Sequence, residues 1–183
     1  MQKVLGLTIL ILGMLVIVPG NTSAQDRSPE FKRSHLERSV RKEIMSLPYY
    51  SVFDAIGYKV NGGTVTLSGY VVRPITKSEA GAAVEDLDGV SQVVNNIEVL
   101  SPSPSDDRLR RSILHTLMGR GGSLYRYFLG TNPPIRIIVH NGRVSLEGYA
   151  DSKADSNLAY MLTRGVPGSF SVTNNLKIVG EAG

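Results

Sequence analysis

One stretch of the chain occurs twice, and this repetition limits what the chain can fold into more than any other feature. The segment NGGTVTLSGY at 61–70 is matched by NGRVSLEGY at 141–149, and matched residues such as Gly69 and Gly148 lie 79 positions apart (148 − 69). In both copies an Asn-Gly pair precedes an alternating strand that ends at Gly-Tyr. Asn-Gly is the strongest short-range hairpin signal because both residues tolerate positive φ. The chain is therefore predicted to contain two copies of one structural unit.

Segments on both sides of the repeated stretch predict helices. Apolar residues recur every fourth position from 36 to 44, and Ser34 with Glu37 would form a capping box at the start of that helix. After the stretch, Pro74 and Thr76 would open the second helix, with Glu79 three residues after Thr76 as a second capping box, and Gly89 would end it. The residues predicted to shape the turn, or to permit close packing or an unusual φ, are Asn61, Gly62, Gly69, Asn141, Gly142 and Gly148.

The two units differ in length at one place. In the leading helix, Leu109 of the second unit follows its counterpart Leu36 by 73 residues. In the first strand, Ile135 follows its counterpart Ile56 by 79 residues. Six extra residues therefore lie within 119–134. The predicted fold class is α+β, with tandem two-layer α-β-β-α-β domains in which a three-stranded sheet packs on two helices. Units this small are marginally stable alone, which favours packing of one unit on the other.

Domain boundaries follow from composition. The predicted domains are 34–100 and 106–179, joined by a Ser/Pro linker at 101–105. The first residues, 1–24, are predicted to be a cleaved signal peptide, and 25–33 a flexible lead-in. An uncleaved membrane anchor is the alternative, but the apolar run at 4–18 is shorter than the ~20 residues that a spanning helix needs. Export to a bacterial periplasm is the resulting expectation.

The repeated pattern resembles the BON-domain family (bacterial OsmY and nodulation). The residues that carry the resemblance are the leading amphipathic helix, the strand ending at LSG (67–69) or LEG (146–148), the second helix, and the VVNNI (93–97) or VTNNL (172–176) strand. The resemblance implies a non-enzymatic periplasmic or envelope protein that binds phospholipid surfaces and supports envelope integrity under osmotic stress. Some members are lipoproteins; this chain has no Cys, so it resembles the soluble periplasmic kind. The insertion at 119–134 also departs from the family pattern.

Catalytic chemistry is not expected from the residues present. The three histidines, His35, His115 and His140, have no His or carboxylate at metal-helix spacing, and no Ser stands in a nucleophile elbow. The Gly-rich segment at 119–123 lacks the preceding strand and the following Lys of a phosphate loop. No enzyme activity, no cofactor and no metal site are therefore predicted.

The two units carry opposite charge. Residues 36–100 hold six cationic and eight acidic side chains, a balance of −2, whereas residues 107–179 hold ten and four, a balance of +6. The second unit is therefore predicted to meet an anionic partner, and a mixture of basic and aromatic residues suits a phospholipid interface. The predicted lipid-binding residues are Arg108, Arg111, His115, Arg120, Tyr125, Arg126, Tyr127 and Phe128. In the alternative interpretation, the aromatic residues fold back on the core and the arginines are solvated.

A second functional class stays open. The uncovered sheet faces, with Ser68 and Tyr70 in one unit and Glu147 and Tyr149 in the other, are predicted to be able to dock an envelope protein. The chain would then be a periplasmic protein–protein adaptor. Nucleic-acid binding is not expected, because the chain is predicted to be exported and has no recognition helix or stacking motif.

Overall fold

The computed structural model describes residues 28–119 and 122–180, and it contains two α+β units in tandem. The predicted signal peptide (1–24) and Arg120 lie outside the described residues. The first unit consists of α1 (Pro29–Ser46), β1 (Ala55–Asn61), β2 (Thr64–Val71), α2 (Pro74–Glu85) and β3 (Gln92–Val99). The second consists of α3 (Pro104–Leu117), a 3-10 helix (Ser123–Phe128), β4 (Ile135–His140), β5 (Arg143–Ala150), α4 (Lys153–Arg164), β6 (Ser171–Asn174) and β7 (Lys177–Ile178). The predicted fold class is confirmed.

Helix α1 begins six residues before the predicted start. Ser28 is the N-cap, and its hydroxyl accepts a hydrogen bond from the Phe31 N–H at 3.2 Å. Proline at the first helical position is pre-organised for a helix, so Ser-Pro is a stronger start than a Ser with a Glu three residues on. Ser34 lies inside the helix and Glu37 pairs with Arg33 at 2.9 Å. The predicted capping box is therefore wrong, and 29–33 is helical rather than flexible.

Helices α2 and α3 also begin at a proline, as was predicted for α2. Helix α3 begins at Pro104 with Ser103 as N-cap, so the last residues of the predicted linker belong to the helix. Helix α2 begins at Pro74, and Thr76 is a fully buried residue of its first turn with no capping hydrogen bond. The predicted second capping box is wrong, since a proline rather than a capping side chain defines that start.

Each unit has a sheet in which an antiparallel hairpin is extended by a parallel strand. Strands β1 and β2 pair antiparallel and β3 adds parallel to β2; β4 and β5 pair antiparallel, and β6 and β7 add parallel to the same edge of β5. The parallel addition requires a crossover, which α2 and α4 provide. The last strand of the second unit is thus divided in two, where a single strand was predicted.

The hairpin turns are offset from the prediction in the first unit. Asn61 pairs with Thr64, so its loop consists of Gly62 and Gly63, and Gly62 has the positive φ of 59°. In the second unit the loop consists of Asn141 and Gly142, with φ of 53° and 71°. Asn61 is therefore the last residue of β1 and the first of the four-residue turn 61–64, and it lies outside the two-residue loop.

The repeated Asn-Asn pair ties the last strand to the second helix in both units. The Asn95 side-chain amide donates to the Lys77 carbonyl at 2.8 Å, and the Asn174 amide donates to the Ser156 carbonyl at 3.2 Å. Each of these asparagines also accepts a backbone N–H from two residues further along its strand. The first Asn of each pair is therefore part of the fold.

Two separate cores fill the space between the helices and one face of each sheet. The predicted apolar stripes of α1 and α3 are buried, and Val65, Leu67, Val144 and Leu146 enter the cores from the strands. The second core also receives Leu124, Tyr127 and Phe128 from the insertion. Among the described residues no helix is long and apolar enough to cross a membrane.

The two units contact each other through the loop before β1. The Ile137 N–H donates to the Val52 carbonyl at 2.9 Å, and Arg136 donates to the Ser51 carbonyl at 2.8 Å. Val52 and Phe53 pack against the core of the second unit. The two units therefore share hydrogen bonds and apolar contacts.

Candidate functional site

A groove between α3 and α4 contains the basic residues predicted on the leading helix of the second unit. Arg108, Arg111 and His115 are exposed along α3 and line this groove, whose volume is about 860 Å³. The opposite wall is apolar and includes Met161 and Val166 from α4 and the segment after it. The surface therefore combines cations with accessible apolar area, because the Met161 side chain is 64% exposed. We call it the α3–α4 groove.

The cations of the groove are not neutralised by neighbouring acids. Within the described residues, Arg108 and Arg111 form no salt bridge, and the nearby Asp107 pairs with the buried Arg110 at 2.5 Å. Desolvating an unpaired cation is unfavourable, so both guanidinium groups remain in water until an anionic partner approaches. The groove is chemically suited to an anion attached to an apolar body.

The equivalent surface of the first unit lacks this combination. Helices α2 and α4 correspond residue by residue at a separation of 79, so Arg164 stands where the first unit has Glu85 and Met161 where it has Ala82. The end of α2 is further acidified by Asp86. Part of the charge difference between the units thus lies at the exposed ends of these helices.

The insertion is folded differently from the lipid-binding prediction. Tyr127 and Phe128 are 4% and 8% exposed and belong to the core, so they are not available to an interface. Their prediction as lipid-binding residues is wrong, since the 3-10 helix turns their rings toward α4 and the sheet. Tyr125 is exposed on the outer side of the same helix. The alternative, in which the aromatic residues fold back, holds for two of the three.

Arg126 binds side chains of and next to α4 and so holds the insertion against that helix. Its guanidinium donates to Asp155 at 2.7 Å and to the Tyr127 hydroxyl at 3.1 Å, and its Nε donates to Asp151 at 3.3 Å. Tyr127 in turn donates to Asp155 at 3.0 Å. The pKa of Asp155 is lowered, first by the hydrogen bond from the Ser152 hydroxyl and further by Tyr127 and Arg126.

The depressed pKa of Asp155 predicts an acid-sensitive contribution to stability. Its carboxylate stabilises the folded state above the unfolded-state pKa of about 4, and this contribution is lost as pH falls toward the lower folded-state pKa. Asp155→Asn should therefore lower the free energy of unfolding by about 1–2 kcal/mol at neutral pH. Thermal unfolding of both proteins between pH 7 and pH 2 measures this, and the difference should vanish at the acidic end. An unchanged difference across that range would contradict the assignment.

Two of the ten cations counted in the second unit are not available to any partner. Arg110 is 3% exposed and donates to the Val139 carbonyl at 2.6 Å. Arg136 is 5% exposed, stacks on Tyr50 at 4.4 Å from the ring centroid, and burial lowers its pKa. The charge count in the sequence therefore overstates the accessible positive charge.

Two buried aspartates organise loops that sequence reasoning did not single out. Asp106 accepts the backbone N–H groups of Asn141 and Gly142 at 2.8 and 2.9 Å, which ties α3 to the β4–β5 turn. Asp54 accepts from the backbone and hydroxyl of Ser51 and from the Val72 N–H. An acid directly before a strand or in a first helical turn is usually solvated, so no local signal marks these two.

The described residues contain no cluster of three or more histidines, aspartates and glutamates able to hold a metal ion. The histidines are dispersed: His35 lies on α1, His115 on α3 and His140 at the end of β4. The α3–α4 groove is thus described by charge and apolar area alone.

Comparison with known proteins places these features in a family. The family model of the BON domain matches residues 33–101 and 125–180. No curated protein matches the chain. Among solved structures, the chain is similar to the C-terminal domain of CdsD, the structural protein of the Type III secretion system of Chlamydia trachomatis, at 14% identity over 79% of this chain and 97% of that chain, with a TM-score of 0.31. A second CdsD structure is 16% identical over 80% and 94% of the two chains, with a TM-score of 0.30. Because the two matched segments span more than half of the sequence, the chain belongs to the BON-domain family, and it carries two copies of the domain.

Proposed function

We propose that this protein is a non-enzymatic, envelope-associated protein of the periplasm that binds anionic phospholipid surfaces through its second unit and supports envelope integrity or osmotic-stress tolerance. BON-domain proteins have envelope, osmotic or phospholipid-binding roles and are generally non-catalytic. The sequence similarity supports the roles that are common to the family. The choice of partner and of surface rests on the α3–α4 groove.

The observation that carries the proposal is the placement of unpaired cations beside exposed apolar area. Arg108 and Arg111 face the groove without an acidic partner among the described residues, and Met161 projects into solvent next to them. Cationic heads can pair with phosphate groups at the membrane surface while an apolar side chain enters the headgroup region. One small patch thereby meets both requirements of a peripheral contact.

The expected affinity is weak and depends on salt. Each Lys or Arg near an anionic leaflet contributes about 1 kcal/mol, and the attraction decays within a Debye length of about 8 Å at physiological ionic strength. Arg108 and Arg111 together would therefore supply about 2 kcal/mol, and Met161 adds a smaller apolar contribution. Reversible attachment rather than permanent anchoring follows from these magnitudes.

Vesicle flotation with the full chain tests the proposal. Arg108→Glu/Arg111→Glu should reduce binding to phosphatidylglycerol-containing vesicles at least tenfold, because two attractions become repulsions. The matched control is Arg38→Glu, the α1 counterpart of Arg111, which should leave binding within about twofold of the native protein. Equal binding to neutral vesicles, or equal losses in both variants, would contradict a site on the second unit.

A further exchange uses the first unit as its template. Met161→Ala/Arg164→Glu gives the second unit the residues that the first unit has at the equivalent positions, Ala82 and Glu85. Both replaced side chains are exposed, so the fold should be retained. Vesicle binding by this variant should fall, because its second unit then has the same residues as the first unit at these two positions. Undiminished vesicle binding would place the lipid contact elsewhere on the protein.

A further inference from the structure

The repeated Gly-Tyr pair brings its two tyrosines to the same cleft between the units. Tyr70 ends the repeated segment in the first unit and Tyr149 in the second, and both line a cleft of about 580 Å³ that contains residues of both units. Their side chains are 38% and 43% exposed. Neither unit forms this cleft alone, because its walls come from α1, β1 and β2 on one side and from β4 and β5 on the other.

Positive charge predominates in this cleft. The exposed cations Arg41 and Lys177 line it, and Glu147 is the one carboxylate among its described lining residues. Glu147 already accepts hydrogen bonds from the Ser145 hydroxyl and from the Asn175 amide, the latter at 2.7 Å. Arg136 also lines the cleft, but it is 5% exposed and is bound to the Ser51 carbonyl and to the ring of Tyr50, so it adds no accessible charge. The cleft therefore presents cations whose charge is not balanced within the protein.

A second depression adjoins the cleft at the β4–β5 hairpin of the second unit. Tyr70 lines both, and the second depression, of about 250 Å³, adds Ile138, His140 and Arg143. Along β4 they extend from Arg136 to His140, four residue steps or about 13 Å at ~3.3 Å each. Together they form a track that contains Tyr70 and Tyr149 and the exposed cations Arg41, Arg143 and Lys177.

We propose that this inter-unit track binds a short acidic segment of extended polypeptide. Its length along β4 matches about four extended residues, and its cations complement carboxylate side chains. Tyrosine provides large, rigid contact area with a polar tip, which suits peptide recognition. A small oxyanion would use the cations but leave the tyrosines and the length of the track without a role. The site is separate from the α3–α4 groove, so it stands whether or not that groove binds lipid.

Selection from a random peptide library displayed on phage, with the full chain as bait in the absence of lipid, tests the proposal. Selected peptides should be enriched in Asp and Glu beside apolar or aromatic residues. Fluorescence anisotropy then compares one selected peptide with its twin in which every Asp and Glu is replaced by Asn and Gln. The acidic peptide should bind at least tenfold more tightly, and excess inorganic phosphate should not displace it at constant ionic strength.

Variants locate the binding. Tyr70→Ser/Tyr149→Ser should weaken peptide binding at least tenfold, and Arg41→Glu should weaken it several-fold. The matched control is Tyr125→Ser, which replaces an exposed tyrosine of the insertion and should leave peptide binding unchanged. Circular dichroism verifies that each variant is folded. The proposal is overturned if no acidic peptide is selected, if the neutral twin binds equally, if phosphate alone displaces the peptide, or if the tyrosine variant binds as well as the control.

Discussion

Replacing Gly148 by alanine should destabilise the second unit by at least about 4 kcal/mol, a large part of the 5–15 kcal/mol that stabilises a typical domain. Gly148 has φ of 102°, and an added Cβ would lie 2.0 Å from the Pro134 carbonyl oxygen. That oxygen cannot move away without cost, because it accepts the Tyr149 N–H at 3.0 Å. Urea unfolding followed by circular dichroism measures the loss.

A matched pair of substitutions separates steric overlap from backbone strain. Gly69→Ala should be as harmful in the first unit, since its Cβ would lie 2.1 Å from the Ala55 carbonyl oxygen. Gly62→Ala also places alanine at positive φ, 59°, but its Cβ would meet no atom within 4 Å. It should cost only about 1–2 kcal/mol of left-handed strain. Equal effects at Gly62 and Gly148 would show that overlap with the neighbouring strand is unimportant.

Removing the Asp54 carboxylate should cost about 2–4 kcal/mol and loosen the contact between the units. Asp54 is 1% exposed and accepts the Ser51 and Val72 N–H groups at 2.8 and 2.7 Å. Asp54→Ala leaves these donors unsatisfied, and each such loss costs about 1–3 kcal/mol. The same loop presents the Val52 carbonyl to Ile137 of the second unit. Distortion of this loop should therefore weaken the hydrogen bond between Val52 and Ile137 of the second unit.

Two measurements distinguish a loss of the loop contacts made by Asp54 from a nonspecific loss of stability. Urea unfolding gives the loss in stability, and Asp88→Ala, a change at an exposed acid of the same unit, should stay within about 0.5 kcal/mol of the native protein. Amide hydrogen exchange at Ile137 reports on the interface directly, and it should accelerate in Asp54→Ala but not in Asp88→Ala. Unchanged exchange at Ile137 would mean that the loop is not held by Asp54.

Prediction from sequence succeeded where the signal was local or periodic. The apolar stripe from Leu109 to Leu117, the hairpins and the order of elements in each unit all follow from spacing along a few residues, and the structure contains them. The start of α1 was displaced because two signals competed there. Pro29 prevailed over the capping pattern of Ser34 and Glu37, since a proline at the first helical position carries the required φ already.

Prediction was poorest for residues whose partners are distant in the chain. Tyr127 and Phe128 looked accessible beside basic residues, yet the 3-10 helix directs them into the core. Arg136 looked like surface charge, yet it lies between the units with its partners at Tyr50 and Ser51. No neighbour in sequence signals either outcome, because burial depends on contacts that only the folded chain brings together.

By itself, the sequence determined that two copies of one α+β unit follow each other and that the second is the more basic, because repetition, periodicity and charge are properties of short segments. Only the tertiary structure decided which cations stay accessible and that Tyr70 and Tyr149 share a cleft. The physical reason is that accessibility and convergence depend on how the units pack, and that packing rests on contacts such as Ile137 with Val52, which join residues far apart in the chain.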